Sequence, residues 1–224
     1  MRLRNIAKAK ETLKEHPESI VLNPEQYKGK WKGRFGNNNP IFLEIGMGKG
    51  QFLKNMSLRL PLINFLGLEK YDSIIYRAFQ KQSINKLSNI ILLRGESENL
   101  LNYFEPNEID RIYLNFSDPW PKKKHIKRRL TYHKFIEKYK NILVDNGTIH
   151  IKTDSKCLFE FSVMTVNNLG FFIDHIDLDL HAEEPEQNIR TEYEDSRSAG
   201  GATIYRLVCR LCKTGGWSTS RKMT

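Results

Sequence analysis

Short unbroken apolar runs recur along this chain, and the stretches between them carry apolar residues at helical spacing. Ile41-Phe42-Leu43-Glu44-Ile45, Phe65-Leu66-Gly67-Leu68-Glu69, Ile90 to Leu93 and Ile109 to Phe116 read as strands. The first three lack polar alternation, as parallel strands covered on both faces do. Thr148 to Lys152, Phe171 to Leu180 and Ala202 to Leu211 predict three more, and in the second of these Ile176, Leu178 and Leu180 alternate with Asp177 and Asp179. Helical patterns fill the gaps. One begins at about Gln51, and a second carries Ile75, Phe79 and Gln82 behind Asp72 as N-cap. A third carries Phe135, Tyr139, Ile142 and Leu143 behind Thr131 as cap, and a fourth starts near Ser155. Asp145-Asn146-Gly147 predicts a turn into the fifth strand. Residues 3–15 read as an amphipathic basic helix stopped by Pro17, and 24–40 as a loop-like approach.

Strands alternating with helices of this length predict an α/β fold, doubly wound, with a mostly parallel seven-stranded sheet and helices on both faces. A chain of 224 residues fits one decorated domain, and its 11% aromatic content argues against disorder. No apolar run approaches the roughly 20 residues that cross a bilayer. Three cysteines point to a reducing compartment, and the expected setting is a soluble protein of the cytoplasm with no membrane partner.

Charge changes the picture. The formal excess of +10 is concentrated at both ends and in one internal run. Residues 122–134 hold seven basic and no acidic side chains, whereas residues 135–204 hold six basic and thirteen acidic. Such a patch attracts a polyanion with salt-sensitive affinity.

Between the first strand and the first helix lies Glu44-x-Gly46-x-Gly48-x-Gly50. Glycines there let the backbone turn tightly and let a ligand approach the main chain. In an open α/β sheet this end of a strand is where ligands bind. The spacing matches neither a phosphate-cradling P-loop nor the dinucleotide fingerprint. Glu69, at the end of the second strand, is placed to accept hydrogen bonds from ribose hydroxyls, and Glu44 suits a cofactor carrying positive charge, such as S-adenosylmethionine. Glu96, at the end of the third strand, is a candidate for the adenine edge.

The fourth strand runs into Asn115-Phe116-Ser117-Asp118-Pro119-Trp120-Pro121, and Lys122-Lys123-Lys124-His125-Ile126-Lys127-Arg128-Arg129 follows. Two prolines stiffen the backbone around Asp118 and Trp120, which suggests a base-binding site. The basic run beside it suits phosphates. Trp120 as a core plug and the run as a solvated loop is the plainer alternative.

These stretches, with Lys152-Thr153-Asp154 and Thr191-Glu192-Tyr193-Glu194, resemble the bacterial tRNA (guanine-N7-)-methyltransferase family in order from about residue 3 to residue 212. The resemblance implies a class I, Rossmann-like methyltransferase fold with an N-terminal helical arm. It implies S-adenosylmethionine as cofactor, and a guanine of the tRNA variable loop, position 46, as target. It further implies cofactor contacts at Glu44, Gly46, Gly48, Gly50, Glu69, Glu96 and Asp118, with Asp118 also catalytic. Lys122, Asp154, Thr191, Glu192, Tyr193 and Glu194 would contact the substrate, and Lys124, His125, Lys127, Arg128 and Arg129 the RNA. The corresponding division is a basic helix and arm over 1–40, a methyltransferase domain over 41–212 and a basic tail over 213–224, where Gly215-Gly216-Trp217 departs from the family pattern. A monomer and a homodimer are both compatible with the sequence.

Other readings are weaker. Cys209-x-x-Cys212 places its thiols on opposite faces of a strand, and the histidines form no metal-ligating spacing, so no metal is expected. Glu69 would also suit the ribose of a nicotinamide cofactor in an oxidoreductase, but the loop spacing and the Asp-Pro-Trp-Pro stretch count against it. A non-catalytic RNA-binding module is disfavoured by the intact Glu44, glycine loop, Glu69 and Asp118. A methyltransferase acting on ribosomal RNA or another base atom remains compatible with the residues.

Overall fold

A computed structural model describes residues 7–82 and 84–213, so the expected helix residues 3–6 and the tail from 214 onward lie outside the described residues. In chain order the elements are α1 (Ala7–Glu15), β1 (Ile20–Val21), α2 (Trp31–Phe35), β2 (Ile41–Ile45), α3 (Gln51–Arg59), β3 (Asn64–Glu69), α4 (Asp72–Gln82), β4 (Ile90–Arg94), α5 (Leu100–Tyr103) and β5 (Ile109–Asn115). They continue with α6 (His133–Ile142), β6 (Leu143–Thr153), α7 (Lys156–Asn168), β7 (Phe171–Asp177), α8 (Glu192–Ala199) and β8 (Tyr205–Leu211).

The strands form one sheet in the order β1-β4-β3-β2-β5-β6-β8-β7. β1 to β6 pair in parallel, and β8 runs antiparallel to both β6 and β7. The chain winds outward in both directions from β2, which pairs with β3 on one side and β5 on the other. That reversal opens a crevice beyond the carboxyl ends of β2 and β5, where doubly wound folds hold ligands.

All five residues of β2 are buried, because helices cover both faces. Ile41, Leu43 and Ile45 join one core with Trp31, Phe104, Phe135 and Tyr139. Phe42 points the other way, into a core with Leu13, Phe52, Leu53, Ile75 and Phe79. The strand period of two therefore distributes one unbroken apolar run between two cores.

Among the described residues, eight strands stand where the pattern predicts seven. The extra strand, β1, has two residues, too few for any period to register, and is fixed by pairing Ile20 and Val21 with Leu92 and Leu93. The approach over 24–40 is more ordered than a loop. It contains a single 3-10 turn, Pro24–Tyr27, and α2, anchored by Trp31, which is fully buried and donates from Nε1 to the Tyr103 carbonyl at 2.9 Å. A five-residue helix is too short to persist on propensity, so this tertiary anchor holds it. Ala9 and Leu13 of α1 are buried in the core that also holds Ile75 and Phe79 of α4.

Two local expectations are corrected. Tyr132, not Thr131, precedes the first turn of α6; Thr131 is fully buried, with its hydroxyl 3.0 Å from that of Ser162 in α7. Asp145-Asn146-Gly147 lies inside β6 rather than ahead of it. Asn146 takes φ +60°, and the register shifts so that Leu143 faces Ile109 while Thr148 faces Arg111. The segment is a bulge within one strand.

Candidate functional site

The glycine loop leaves β2 and caps α3. Gly46, Gly48 and Gly50 have φ of +75°, +56° and +72°, a region that side chains with a Cβ rarely adopt. A Cβ at Gly46 or Gly48 would meet no atom within 4 Å, so conformation, rather than crowding by protein, calls for glycine there. The loop lines a cavity of about 470 Å³ together with Glu44, Asn115, Phe116 and, on α8 and its cap, Thr191, Glu192 and Tyr193.

Glu44 is 2% exposed, and its Oε1 accepts a hydrogen bond of 2.8 Å from Asn115 Nδ2 on the neighbouring β5. Its other oxygen, Oε2, and Asn115 Oδ1 are both buried without a partner among the described residues. Burial pushes the Glu44 carboxyl up to about 8, against the opposing effects of the Asn115 bond and the Lys152 charge. Burial keeps a proton on Glu44 in the protein alone; a cationic, hydrogen-donating ligand would displace it and satisfy Glu44 Oε2 and Asn115 Oδ1, atoms of two residues that line this cavity. The ammonium end of S-adenosylmethionine has that chemistry, so the residues fit the group.

A second cavity, of about 410 Å³, shares Gly46, Asn115 and Phe116 with the first and is lined further by Glu69, Glu96, Asp118 and Trp120. Glu69 is held by its own turn, since Oε1 accepts from the backbone N–H of Lys70 at 2.8 Å and of Tyr71 at 3.2 Å. Burial raises its pKa, partly offset by N–H groups of Tyr71, Lys70 and Gly48. A carboxylate oriented this way keeps lone pairs for a diol. Glu96 pairs with Lys70 at 3.1 Å. Asp118 is exposed and has no hydrogen bond or ion pair among the described residues.

The loop that carries Asp118 is strained. Phe116 and Trp120 take φ of +52° and +40°, uncommon for bulky side chains. Arg129 braces it from behind, donating from Nε to the Pro119 carbonyl at 2.9 Å and from Nη2 to the Trp120 carbonyl at 3.3 Å. The guanidinium also lies 4.7 Å from the centre of the Phe161 ring, and the residue is 4% exposed. Arg129 is thus corrected from an RNA-facing residue to an internal brace. Lys124, Lys127 and Arg128 are exposed and His125 half-buried on the 3-10 turn Lys123–Arg128, and Lys122 is exposed just before it. Trp120 is neither a core plug nor a free plane: it is half-buried, with Arg128 4.9 Å and His125 5.5 Å from its ring.

The structure brings Asp154 and the Thr191–Glu194 segment together. Asp154 Oδ2 accepts from Arg197 Nε at 2.6 Å and lies 3.3 Å from the Tyr193 hydroxyl, whose ring is 5.1 Å from that of Phe116. Glu192 ties this segment to the glycine loop through Lys49 at 3.0 Å, and it pairs also with Lys81 of α4. Thr191 caps α8 in a capping box with Glu194. Glu194 is fully buried, with Oε2 2.5 Å from Lys152 Nζ and Oε1 3.0 Å from both Asn188 Nδ2 and His181 Nε2. It is therefore corrected from a substrate contact to the anchor of its segment. His181, Glu184 and Glu194 offer atoms within 4.8 Å of one another, but Glu194 is engaged by Lys152 and Glu184 by Arg190.

Asn115, Phe116 and Lys152 are the functional candidates that the sequence reading leaves without a role. All three lie at the ends of strands feeding the crevice, and that position was the available signal. Cys209 is fully buried, its thiol pushed up to about 12 by burial, and Cys212 lies just past the end of β8.

The chain is similar to known proteins in sequence and in fold. The family model described as "Putative methyltransferase" matches residues 38–207. A tRNA (guanine-N(7)-)-methyltransferase of Lysinibacillus sphaericus (strain C3-41) is 51% identical over 208 residues, 92% of this chain and 96% of that protein. One of Bacillus subtilis (strain 168) is 46% identical over 206 residues, 92% of this chain and 97% of the relative. Among solved structures, an antibiotic related methyltransferase superposes with a TM-score of 0.63 at 15% identity, covering 82% of this chain and 94% of its own. A SAM dependent methyltransferase from Aquifex aeolicus gives 0.55 at 13% identity, covering 93% and 99%. These two likenesses show the fold.

Proposed function

The chain belongs to the tRNA (guanine-N(7)-)-methyltransferase family, and we propose that it transfers the methyl group of S-adenosylmethionine to N7 of a guanine in the tRNA variable loop, position 46. The observation that carries this reading is the pair of buried side-chain oxygens without partners among the described residues, Glu44 Oε2 and Asn115 Oδ1, on two residues that line the glycine-loop cavity. The 1–40 arm and the basic surfaces would serve the same RNA partner, in the cytoplasm.

S-adenosylmethionine supplies an electrophilic methyl on a sulfonium. Glu44 and Asn115 would hold its ammonium, Glu69 its ribose hydroxyls, and Glu96 the adenine edge. Guanine N7 carries an in-plane lone pair, so no residue has to remove a proton before attack. Transfer of that methyl to N7 would leave the sulfur neutral as S-adenosylhomocysteine and the purine positively charged. Asp118, an exposed carboxylate on a braced and strained loop, is suited to stabilise that charge where it develops. Holding both reactants at contact distance supplies much of the rest of the rate. Asp154, Thr191, Glu192 and Tyr193 would line the base, with Lys122, Lys124, His125, Lys127 and Arg128 on the RNA backbone.

Incubating the protein with unmodified tRNA and methyl-labelled S-adenosylmethionine, then digesting to nucleosides, tests the reading. Label in 7-methylguanosine is expected. Asp118→Ala should lower turnover by about 10²-fold or more while tRNA binding persists. Label in any other nucleoside, or turnover unchanged in Asp118→Ala, would overturn it.

A further inference from the structure

One face of the sheet across β5, β6 and β8 is basic where a doubly wound fold normally packs apolar side chains. Ile112 and Leu114, Ile149 and Ile151, and Leu207 all enter the core with Trp31 and Tyr139. The alternate positions on the same strands are Arg111 and Tyr113, His150 and Lys152, and Arg206. The register sets these side by side, with Tyr113 opposite His150 and Lys152 opposite Arg206. They line a cavity of about 290 Å³, walled by α3 and closed over by Gln187, Asn188 and Ile189. Among the described residues, no carboxylate lines it.

The cations of this cavity differ in their partners. Lys152 is neutralised by Glu194, and Arg206 by Asp177 with Nε 2.5 Å from Oδ2. Arg111 has no carboxylate within 4 Å among the described residues. Its guanidinium is instead fixed by Thr148 Oγ1 at 3.0 Å, by the Tyr113 hydroxyl at 3.2 Å and by the Phe42 ring at 4.5 Å. Arg59, exposed beside the cavity, likewise lacks a carboxylate and donates from Nη1 to the Glu186 carbonyl at 3.0 Å. Burial and the charges of Arg111, Arg206 and Lys152 push His150 down to about 3, so it stands neutral among cations. A half-buried arginine held rigidly without a counterion is costly unless an anion completes it.

We propose that this cavity is a binding site for a phosphate-class oxyanion, taken between Arg111 and Arg59, with Tyr113 and His150 as hydrogen-bonding partners. A planar guanidinium fixed on three sides suits an oxyanion better than a lysine would. Phe52 and Asn115 line both this cavity and the one that holds Glu44, and the closing residues run directly into Thr191. The phosphate is therefore either a free inorganic anion or a phosphodiester of bound RNA, and experiment separates the two.

The test uses the full chain without methyl donor. Thermal unfolding and calorimetric titration with sodium phosphate are compared with sodium chloride at matched ionic strength. A saturable rise in Tm and saturable heat with phosphate are expected, lost in Arg111→Gln and weakened at least tenfold in Arg59→Ser. Arg59 is exposed, so its variant keeps the test decisive should Arg111→Gln fail to fold. Affinity for tRNA is measured in parallel. Competition by phosphate together with weakened tRNA binding in Arg59→Ser identifies an RNA phosphodiester; phosphate binding lost with tRNA affinity unchanged identifies a free anion. The proposal is overturned if phosphate binding is unaltered in both variants. It is equally overturned if wild-type protein shows no saturable phosphate effect and the variants bind tRNA normally. The phosphate titration reads binding alone, so its outcome is independent of whether methyl transfer occurs.

Discussion

Lys152 and Glu194 form a buried ion pair, 2.5 Å between Nζ and Oε2, with side chains 6% and 0% exposed. The pair joins the end of a central strand to the helix that follows Thr191. Glu194 stays below the usual carboxylate range because Lys152, Asn188 and His181 outweigh the effect of its burial. Replacing Lys152 with Met leaves that carboxylate buried and uncompensated, at a cost of about 3–5 kcal/mol. Urea denaturation should show this loss, and the double variant Lys152→Met, Glu194→Leu should recover part of it. A Lys152→Met protein as stable as the parent would show that the pair is not an anchor.

Glu44 gives the unliganded protein a pH dependence of definite sign. Its carboxyl is raised from 4.5 to about 8 by burial. Between those values the folded state keeps a proton that the unfolded chain has released, so stability falls as pH rises through this window. Glu69 is shifted in the same direction. Below about pH 6.5 the lowered His150 acts in the opposite sense, so the urea midpoint should decline from pH 7 to pH 8, and Glu44→Gln should flatten that decline without removing it. The same variant should bind S-adenosylmethionine at least tenfold more weakly. Parallel pH profiles for parent and variant would contradict this account of the site.

Neighbouring cations in the basic run should behave in opposite ways. Neutralising Lys124, Lys127 and Arg128 to Gln is expected to weaken tRNA binding and to lower the slope of log affinity against log salt by about 2–3, with the thermal midpoint unchanged. Arg129→Gln removes the brace on Pro119 and Trp120. It should cost about 1–3 kcal/mol of stability and lower turnover, with the salt slope unaltered. A salt slope that falls equally in both variants would mean that Arg129 meets RNA after all.

Much of this was legible because the relevant signals are local. Unbroken runs such as Ile90 to Leu93 announce buried parallel strands, and glycines at positive φ announce the loop after β2. What escaped depends on partners far away in the chain. Arg129 resembles its basic neighbours until it meets the carbonyls ten and nine residues earlier. Glu194 looks like surface in an acidic stretch until Lys152, 42 residues away, takes it inside. The basic face of β5 and β6 was written in the period of two, but only the register shows that Arg111, His150 and Lys152 share a cavity.

The order β6-β8-β7 has a consequence for synthesis. β7 pairs with β8 and, among the described residues, with no other strand. As the chain emerges from the ribosome, β7 must therefore wait beside a gap until Tyr205–Leu211 arrives and slides between it and β6. Thr191 to Glu194 lie on the connection between these two strands, so that connection stays an open-ended chain during the wait. The wall carrying Tyr193 is gripped by Lys49, Lys152 and Asp154, all synthesised before it, so it can dock while only the far end of the connection waits for the last strand. The order of translation thus leaves the last strand to lock a crevice whose lining residues are already on the chain.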